Sequence, residues 1–161
     1  MKKLIFISLM VCSFAASAQT AIEKNGTIYK KHPYITIVES LERMMAKMDT
    51  IGMVKYYADT AYAFGTGAPE TKGIASIKAG WRYIANEWEI VSITPNGYPD
   101  ALEYTNDPFT VQSWWVVKVV NKKTKKQATF FEVIFHSFNK DGKISSEMSF
   151  HDSTPLLEAM K

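Results

Sequence analysis

Glu132, His136, Glu147 and His151 have the residue types and the spacing for acid–base chemistry. They flank the segment Asn139-Lys140-Asp141-Gly142-Lys143, which separates two runs rich in aromatic and β-branched residues and so predicts a hairpin. Asp141-Gly142 favours a two-residue type I′ turn, whose two central positions both take positive φ. That turn pairs Lys140 with Lys143 and carries the register back through Phe138–Ser145, His136–Glu147, Ile134–Ser149 and Glu132–His151. Strand alternation places all of these on one face. Directly opposed residues hold their Cβ atoms about 4.5–5.5 Å apart, so the register creates two Glu–His pairs. At ~3.3 Å per residue the pairs lie roughly 13 Å apart along the strand. They are therefore two separate dyads rather than one metal shell, and neither a metal nor another cofactor is expected. A buried glutamate beside a histidine holds the imidazole in one tautomer and raises its pKa, as a general acid or base requires. A three-residue loop closed by Gly142 would instead shift the register by one and break both pairs.

Helices and strands must position these groups. Ile35, Val38, Leu41, Met44, Met45 and Met48 recur at helical spacing, with Glu39, Glu42, Arg43 and Lys47 assigned to the opposite, solvent face. The methionines read as core filler. Asp49-Thr50 caps a short second helix over 51–57, and 59–64 reads as a strand stopped by Gly65-Thr66-Gly67. A third helix is expected over 73–88, with Ile74, Ile77, Trp81, Ile84 and Ala85 inward. Strands follow over 89–94, 101–104, 111–121, 127–138 and 144–151, the last three as an antiparallel meander. Ser153 and Pro155 start a closing helix that ends at Met160. The lysines at 122–126 read as a solvated hairpin tip. Three helices around one short strand, then a long antiparallel sheet with helices on one face, make an α+β domain.

Two faces of the last hairpin compete for the interior. The Glu/His face, joined by Tyr57, Trp81, Tyr104, Trp115, Ile134 and Ser149, can line a pocket. The opposite face carries Phe131, Val133, Phe135, Met148 and Phe150 and is the more apolar, so amphipathicity alone would bury it and leave the Glu–His pairs as solvent-side ion pairs. Trp114 and Trp115, adjacent on one strand, must point to opposite faces. His32, beside Pro33, reads as an exposed loop residue.

Composition narrows the class. The 161 residues include 19 basic, 16 acidic and one cysteine. Met1-Lys2-Lys3, the apolar run from Leu4 to Phe14 and Ala16-Ser17-Ala18 form the layout of a secretory signal peptide over 1–18, with an apolar run too short to be a membrane span. Leu9-Met10-Val11-Cys12 lacks the small residue that a lipoprotein box places before its cysteine. Cleavage near Ala18 removes Lys2, Lys3 and Cys12 and leaves 17 basic against 16 acidic residues. That balance argues against a nucleic-acid partner, and the lost cysteine against disulfides and thiol catalysis. Residues 19–34 read as a flexible lead-in and 35–161 as a single domain, exported to the periplasm or secreted.

Met48-Asp49-Thr50, Tyr57-Ala58-Asp59-Thr60-Ala61, Lys72-Gly73, Phe138 with Asp141-Gly142-Lys143-Ile144, and Phe150-His151-Asp152 together resemble the nuclear transport factor 2-like superfamily, in its SnoaL-like and ketosteroid-isomerase-like branch. The resemblance spans about residues 35–161. It implies a cone-shaped fold of three N-terminal helices packed on a curved antiparallel sheet, with a short C-terminal helix, an interior pocket and a homodimer formed through the sheet's outer face. It also implies where that family's acids belong. The isomerase base falls at Gly65, its first-helix tyrosine at Leu41 and its second acid at Ile134, while the cyclase acid falls near Ser149. The expected function is a non-enzymatic domain that binds a small apolar or aromatic ligand. The alternatives are a lyase, isomerase or hydrolase using a Glu–His pair, and a protein-interaction module using the outer sheet face.

Overall fold

A computed structural model describes residues 23–161; the expected leader over 1–18 and the first residues of the lead-in lie outside the described residues. The described chain forms β1 (Gly26–Tyr29), α1 (Pro33–Met45), α2 (Thr50–Val54), β2 (Tyr57–Gly65), β3 (Ala68–Lys72), α3 (Ile74–Glu87), β4 (Trp88–Pro95), β5 (Asp100–Tyr104), β6 (Phe109–Asn121), β7 (Gln127–Phe138), β8 (Ile144–His151) and α4 (Thr154–Met160). This is an α+β architecture with one large, curved, mostly antiparallel sheet.

Local chemistry sets the helix ends. Pro33 occupies the first turn of α1, where its missing N–H costs nothing, and His32 Nδ1 accepts from the Tyr34 N–H at 3.2 Å as the cap. His32 is thus a half-buried capping residue whose ring stacks on Phe109 at 4.3 Å, not the exposed loop histidine expected. Asp49 caps α2 through the Gly52 N–H at 2.9 Å. Gly73, at φ +81°, turns the chain into α3 while its N–H donates to the Ala61 carbonyl at 2.7 Å.

The sheet runs β1-β5-β6-β7-β8-β2-β3, with β4 also paired to β6. The 13-residue β6 is its spine: β5 pairs with its first half and β4 with its second, along one edge. Alternate β6 residues from Val111 to Asn121 are buried, the period of a strand with one face inward. β2 runs parallel to β8, so the meander is closed by one parallel pairing. Irregularities at Ile90/Ser92, Ala63/Gly65 and Ser137/Phe138 bend the strands, as bulges do. α1 packs against β5 and β6, α3 against β2 and β3, and α4 against β6 and β7. Val38, Leu41, Ile77 and Trp81 are buried from the helix side, and each such side chain contributes ~1.5–3 kcal/mol.

Two strands depart from the sequence expectation. β1 lies within the supposed flexible lead-in, and β3 follows the Gly65-Thr66-Gly67 stop. Both are short, exposed edge strands, so neither shows the alternation that burial of one face imposes.

The last hairpin reaches the expected register by an unexpected route. Only Gly142 has positive φ in the turn, at +72°, so the turn is not type I′. Gly142 N–H donates to the Asn139 carbonyl at 3.0 Å, and Asn139 N–H to the Lys143 carbonyl at 2.8 Å. This is the three-residue loop closed by Gly142, and it pairs Phe138 with Ile144 rather than with Ser145. Ser145 then bulges out of the ladder, the pairing resumes at Ser137–Ser146, and the two offsets cancel. Glu147 still faces His136, and His151 still faces Glu132.

Gly142→Ala forces an L-residue into the left-handed region, at about 1–2 kcal/mol. Chemical denaturation is expected to show a loss of that size; an unchanged midpoint would mean the turn does not hold this conformation in solution.

Candidate functional site

The register lays three rungs across the inward face of the sheet. Val111, His136 and Glu147 form the first, Ser113, Ile134 and Ser149 the second, and Trp115, Glu132 and His151 the third. In the first rung Glu147 sits between two donors. The Tyr57 hydroxyl, from the start of β2, donates to Glu147 Oε2, and His136 Nε2 stands 3.5 Å from the same oxygen. His136 is 1% exposed, and its Nδ1 is buried with no partner among the described residues. In the third rung His151 Nδ1 lies 3.8 Å from Glu132 Oε1, beyond hydrogen-bond reach, and is likewise unpartnered. Only one of the two dyads is therefore tightly connected.

A third glutamate joins them. Glu42, on α1, is 8% exposed rather than on the solvent face where sequence placed it. It lies four residues after Val38 and seven after Ile35, so it falls on the same helical stripe as those two buried residues. Its charge had assigned it to the wrong face.

Burial, together with the nearby charges of Glu132 and Glu147, holds the Glu42 carboxyl well above the usual carboxylate range. Glu132 is pushed up to about 7 by burial and by Glu147, against a smaller opposing effect from the Ser149 hydroxyl. Burial also works to raise Glu147, but the hydrogen bond and charge of His136 and the Tyr57 hydroxyl outweigh it, and the net shift is downward. Tyr57 is pushed well up by burial and by Glu147, so it remains a neutral donor. His151 is shifted down by burial, only partly opposed by Asp152, which corrects the expectation that its glutamate partner would raise it. At neutral pH the cluster thus holds an ionised Glu147 and a Glu132 poised near half-protonation, beside a Glu42 whose burial favours its protonated form.

Glu132 and Glu147 keep 18% and 22% of their side-chain surface open to water, so a molecule from solvent can reach both. Tyr57, Trp81, Trp115 and Ile134 are buried on this side, with Tyr57 edge-on to Trp81 at 5.3 Å and Trp115 Nε1 donating to Ser113 Oγ at 2.9 Å. Ser149 is half-buried in the middle rung. Tyr104 corrects the sequence expectation: it is 37% exposed at the end of β5, paired with Gly26, and is no part of the buried lining. Phe131 and Phe150 are exposed on the outer face, while Val133, Phe135 and Met148 are half-buried. A groove of about 810 Å³ runs past Lys30, His32, Thr36, Ser40 and Tyr56, but it holds none of the cluster's carboxylates. Among the described residues no group of three His, Cys, Asp or Glu side chains is placed to hold a metal ion.

No protein-family model matches the chain, and no curated protein matches it in sequence. Solved structures do share its fold. A candidate polyketide cyclase from Xanthomonas campestris pv. campestris superposes with TM-score 0.67 at 12% identity, covering 83% of this chain and 100% of that one. A candidate isomerase from Bacillus subtilis gives 0.62 at 16%, covering 78% and 90%. A nuclear transport factor 2-like protein from Burkholderia xenovorans LB400 gives 0.61 at 17%, covering 79% and 95%. The chain shares the fold of these structures, one of which is nuclear transport factor 2-like. The positions where the resemblance places that family's acids hold Gly65, Ile134 and Ser149, and the position of its first-helix tyrosine holds Leu41. Any side chain at Gly65 would collide with the Ser149 carbonyl oxygen, so no acid fits there without a backbone shift. No helix among the described residues is long and apolar enough to cross a membrane.

Glu132 binds its proton more tightly folded than unfolded, so it withdraws stability as pH rises from about 4.5 to about 7. At ~1.4 kcal/mol per pH unit, the Glu132→Gln variant should gain on the wild type by on the order of 3 kcal/mol across that window. His151 acts in the opposite direction and cancels in the difference, whereas Glu42 acts in the same direction and, being held up partly by the Glu132 charge, adds to it. Urea unfolding at pH 5 and pH 8 measures it; a constant difference would mean that Glu132 titrates as an exposed carboxyl.

Proposed function

We propose that Glu132, Glu147 and the rings around them line a cleft that binds one small molecule with an apolar or aromatic body and a polar end, and that the protein is an exported binding domain rather than an enzyme. The observation that carries this reading is the water-reachable Glu132–Glu147 wall set among Tyr57, Trp81 and Trp115. Apolar walls with a few converging polar groups are the usual make-up of a ligand site. The signal-peptide pattern supports export. The exposed Phe131 and Phe150 support a homodimer through the outer sheet face, since contiguous apolar surface favours association. In the exported protein the chain is expected to begin at Gln19 and sediment as a dimer that Phe131→Glu converts to monomer. An uncleaved leader would refute export, and a monomeric wild type would refute the dimer.

A second reading, proton transfer on the bound molecule, is favoured by one feature. Glu132 is pushed up to about 7, the range in which a carboxyl can both take and return a proton, near the ionised Glu147 that His136 faces at 3.5 Å. The candidate isomerase and candidate cyclase of like fold lend it support.

One probe separates the readings. 2-Tetralone, a neutral aromatic ketone, is expected to bind saturably at one site per chain, and Ser149→Phe, which projects a ring into the middle rung, to abolish that binding. Unsaturable uptake, or binding indifferent to Ser149→Phe, would sink the cleft reading. If the protein speeds deuterium exchange beside the carbonyl, with a rate that rises through about pH 7 and falls 10²–10⁴-fold in Glu132→Gln, the enzyme reading replaces the first.

A further inference from the structure

The cleft gathers more acid than the described chain neutralises. Glu42 from α1, Glu132 from β7 and Glu147 from β8 converge on it, and no described lysine or arginine lies within 4 Å of any of them. The facing titratable groups are Tyr57 from β2, which stays neutral, His136 from β7, which serves Glu147, and His151 from β8, with Asp152 beside it. His136 supplies an independent observation. Its side chain is 2% exposed within the cluster, its Nε2 faces Glu147, and its Nδ1 has no partner. With the proton on Nε2, Nδ1 is a buried acceptor awaiting a donor. Aromatic rings complete the surroundings: Tyr57 against Trp81, Trp115 opposite Glu132, and Phe130 at 5.0 Å from His151.

Three ligand classes can be weighed against this lining. An anion would meet the ionised Glu147 and would further oppose ionisation of Glu132 and Glu42. A neutral polar molecule would satisfy hydrogen bonds but leave the carboxylates in conflict. A bare metal ion lacks a set of three ligands among the described residues. An organic cation supplies N–H donors, countercharge and a face for the rings at once.

Resting on the reading that the cleft takes a small molecule, we propose that this molecule is an organic cation, an amine or amidine on an aromatic or apolar body, with its charge held at Glu132 in the field of Glu147. Its positive charge favours the ionised form of Glu132. Binding below or near pH 7 therefore moves the Glu132 proton to solvent while the ligand keeps its own, and charge and protons balance.

The test compares tryptamine with 3-propylindole, which has the same shape with methyl in place of ammonium. Tryptamine is expected to bind at least ~10-fold tighter at pH 7, the effect of ~1.4 kcal/mol. Titration calorimetry in phosphate and in Tris should show roughly half a proton released per site, since Glu132 is near half-protonated at that pH. Glu132→Gln should bind 3-propylindole as before and lose both the preference and the proton release. Glu42→Gln, checked for folding alongside, should lower the preference by a smaller factor. Equal binding of the two probes overturns the cation and leaves the cleft reading intact, as does binding of 2-tetralone alone. Binding of none of the three overturns both. Tighter tryptamine binding that Glu132→Gln leaves unchanged overturns the proposed site.

Discussion

The pairing of β7 with β8 is the constraint on which the inward face depends. Side chains alternate with a period of two, so a one-residue slip would move Glu132, Ile134 and His136 outward and bring Phe131, Val133 and Phe135 in. The Gly142 turn by itself would impose that slip. The bulge at Ser145 undoes it within one step of the ladder, and Ser145 Oγ ties the bulge to the Ser137 carbonyl at 3.2 Å. Two local irregularities that look like defects in isolation thus act as one device. Their sum keeps Glu147 between Tyr57 and His136.

What separates the three carboxylates is hydrogen bonding more than depth. Glu42, Glu132 and Glu147 are all withdrawn from bulk water, which raises each of them. Only Glu147 receives donors from two side chains, and only Glu147 moves down. Its charge then becomes part of the field that holds Glu132 and Glu42 up. The donors themselves are positioned from different parts of the chain: Tyr57 at the head of the strand that closes the sheet in parallel, His136 on the neighbouring antiparallel strand. The charge pattern of the cleft is therefore a consequence of the sheet's closure.

Much of this was legible in the sequence, for physical reasons. Long strands with one buried face write a period of two, and β7 and β8 were readable at both ends and β6 at its far end, its start lying two residues earlier than the alternation shows. Helices with a buried stripe write 3.6, and α1 and α3 followed. The turn differs from the expected one because Asp-Gly suits more than one loop, and local preference does not see a compensating bulge three residues later. β1 and β3 were missed because exposed edge strands bury no face and so leave no pattern. Glu42 was missed for a different reason: its spacing from Ile35 and Val38 pointed inward, but side-chain type was allowed to outvote spacing. A charged residue on an apolar stripe is a conflict between two rules, and such conflicts mark places where the fold accepts a destabilising group. Tyr104 shows the converse, an aromatic assumed to be inside that a strand end leaves in water.

That conflict bears on what the cleft is for. Replacing a buried ionisable group by an apolar one of similar size is often neutral or stabilising, and nothing in the sheet's pairing requires acids at 42 or 132. Ile134, between Glu132 and His136 on the same face, shows that an apolar side chain fits the middle rung. The outer face carries enough phenylalanine that the acids are not needed to decide which face turns in by polarity; by that criterion they point the wrong way. A fold that turns its acids inward and its phenylalanines outward is held so by backbone pairing and by the helices that cover the inner face. The acids then act on whatever enters the cleft, and the phenylalanines on whatever covers the sheet. Both faces are left incomplete by the same register, and the chemistry of each describes what would complete it.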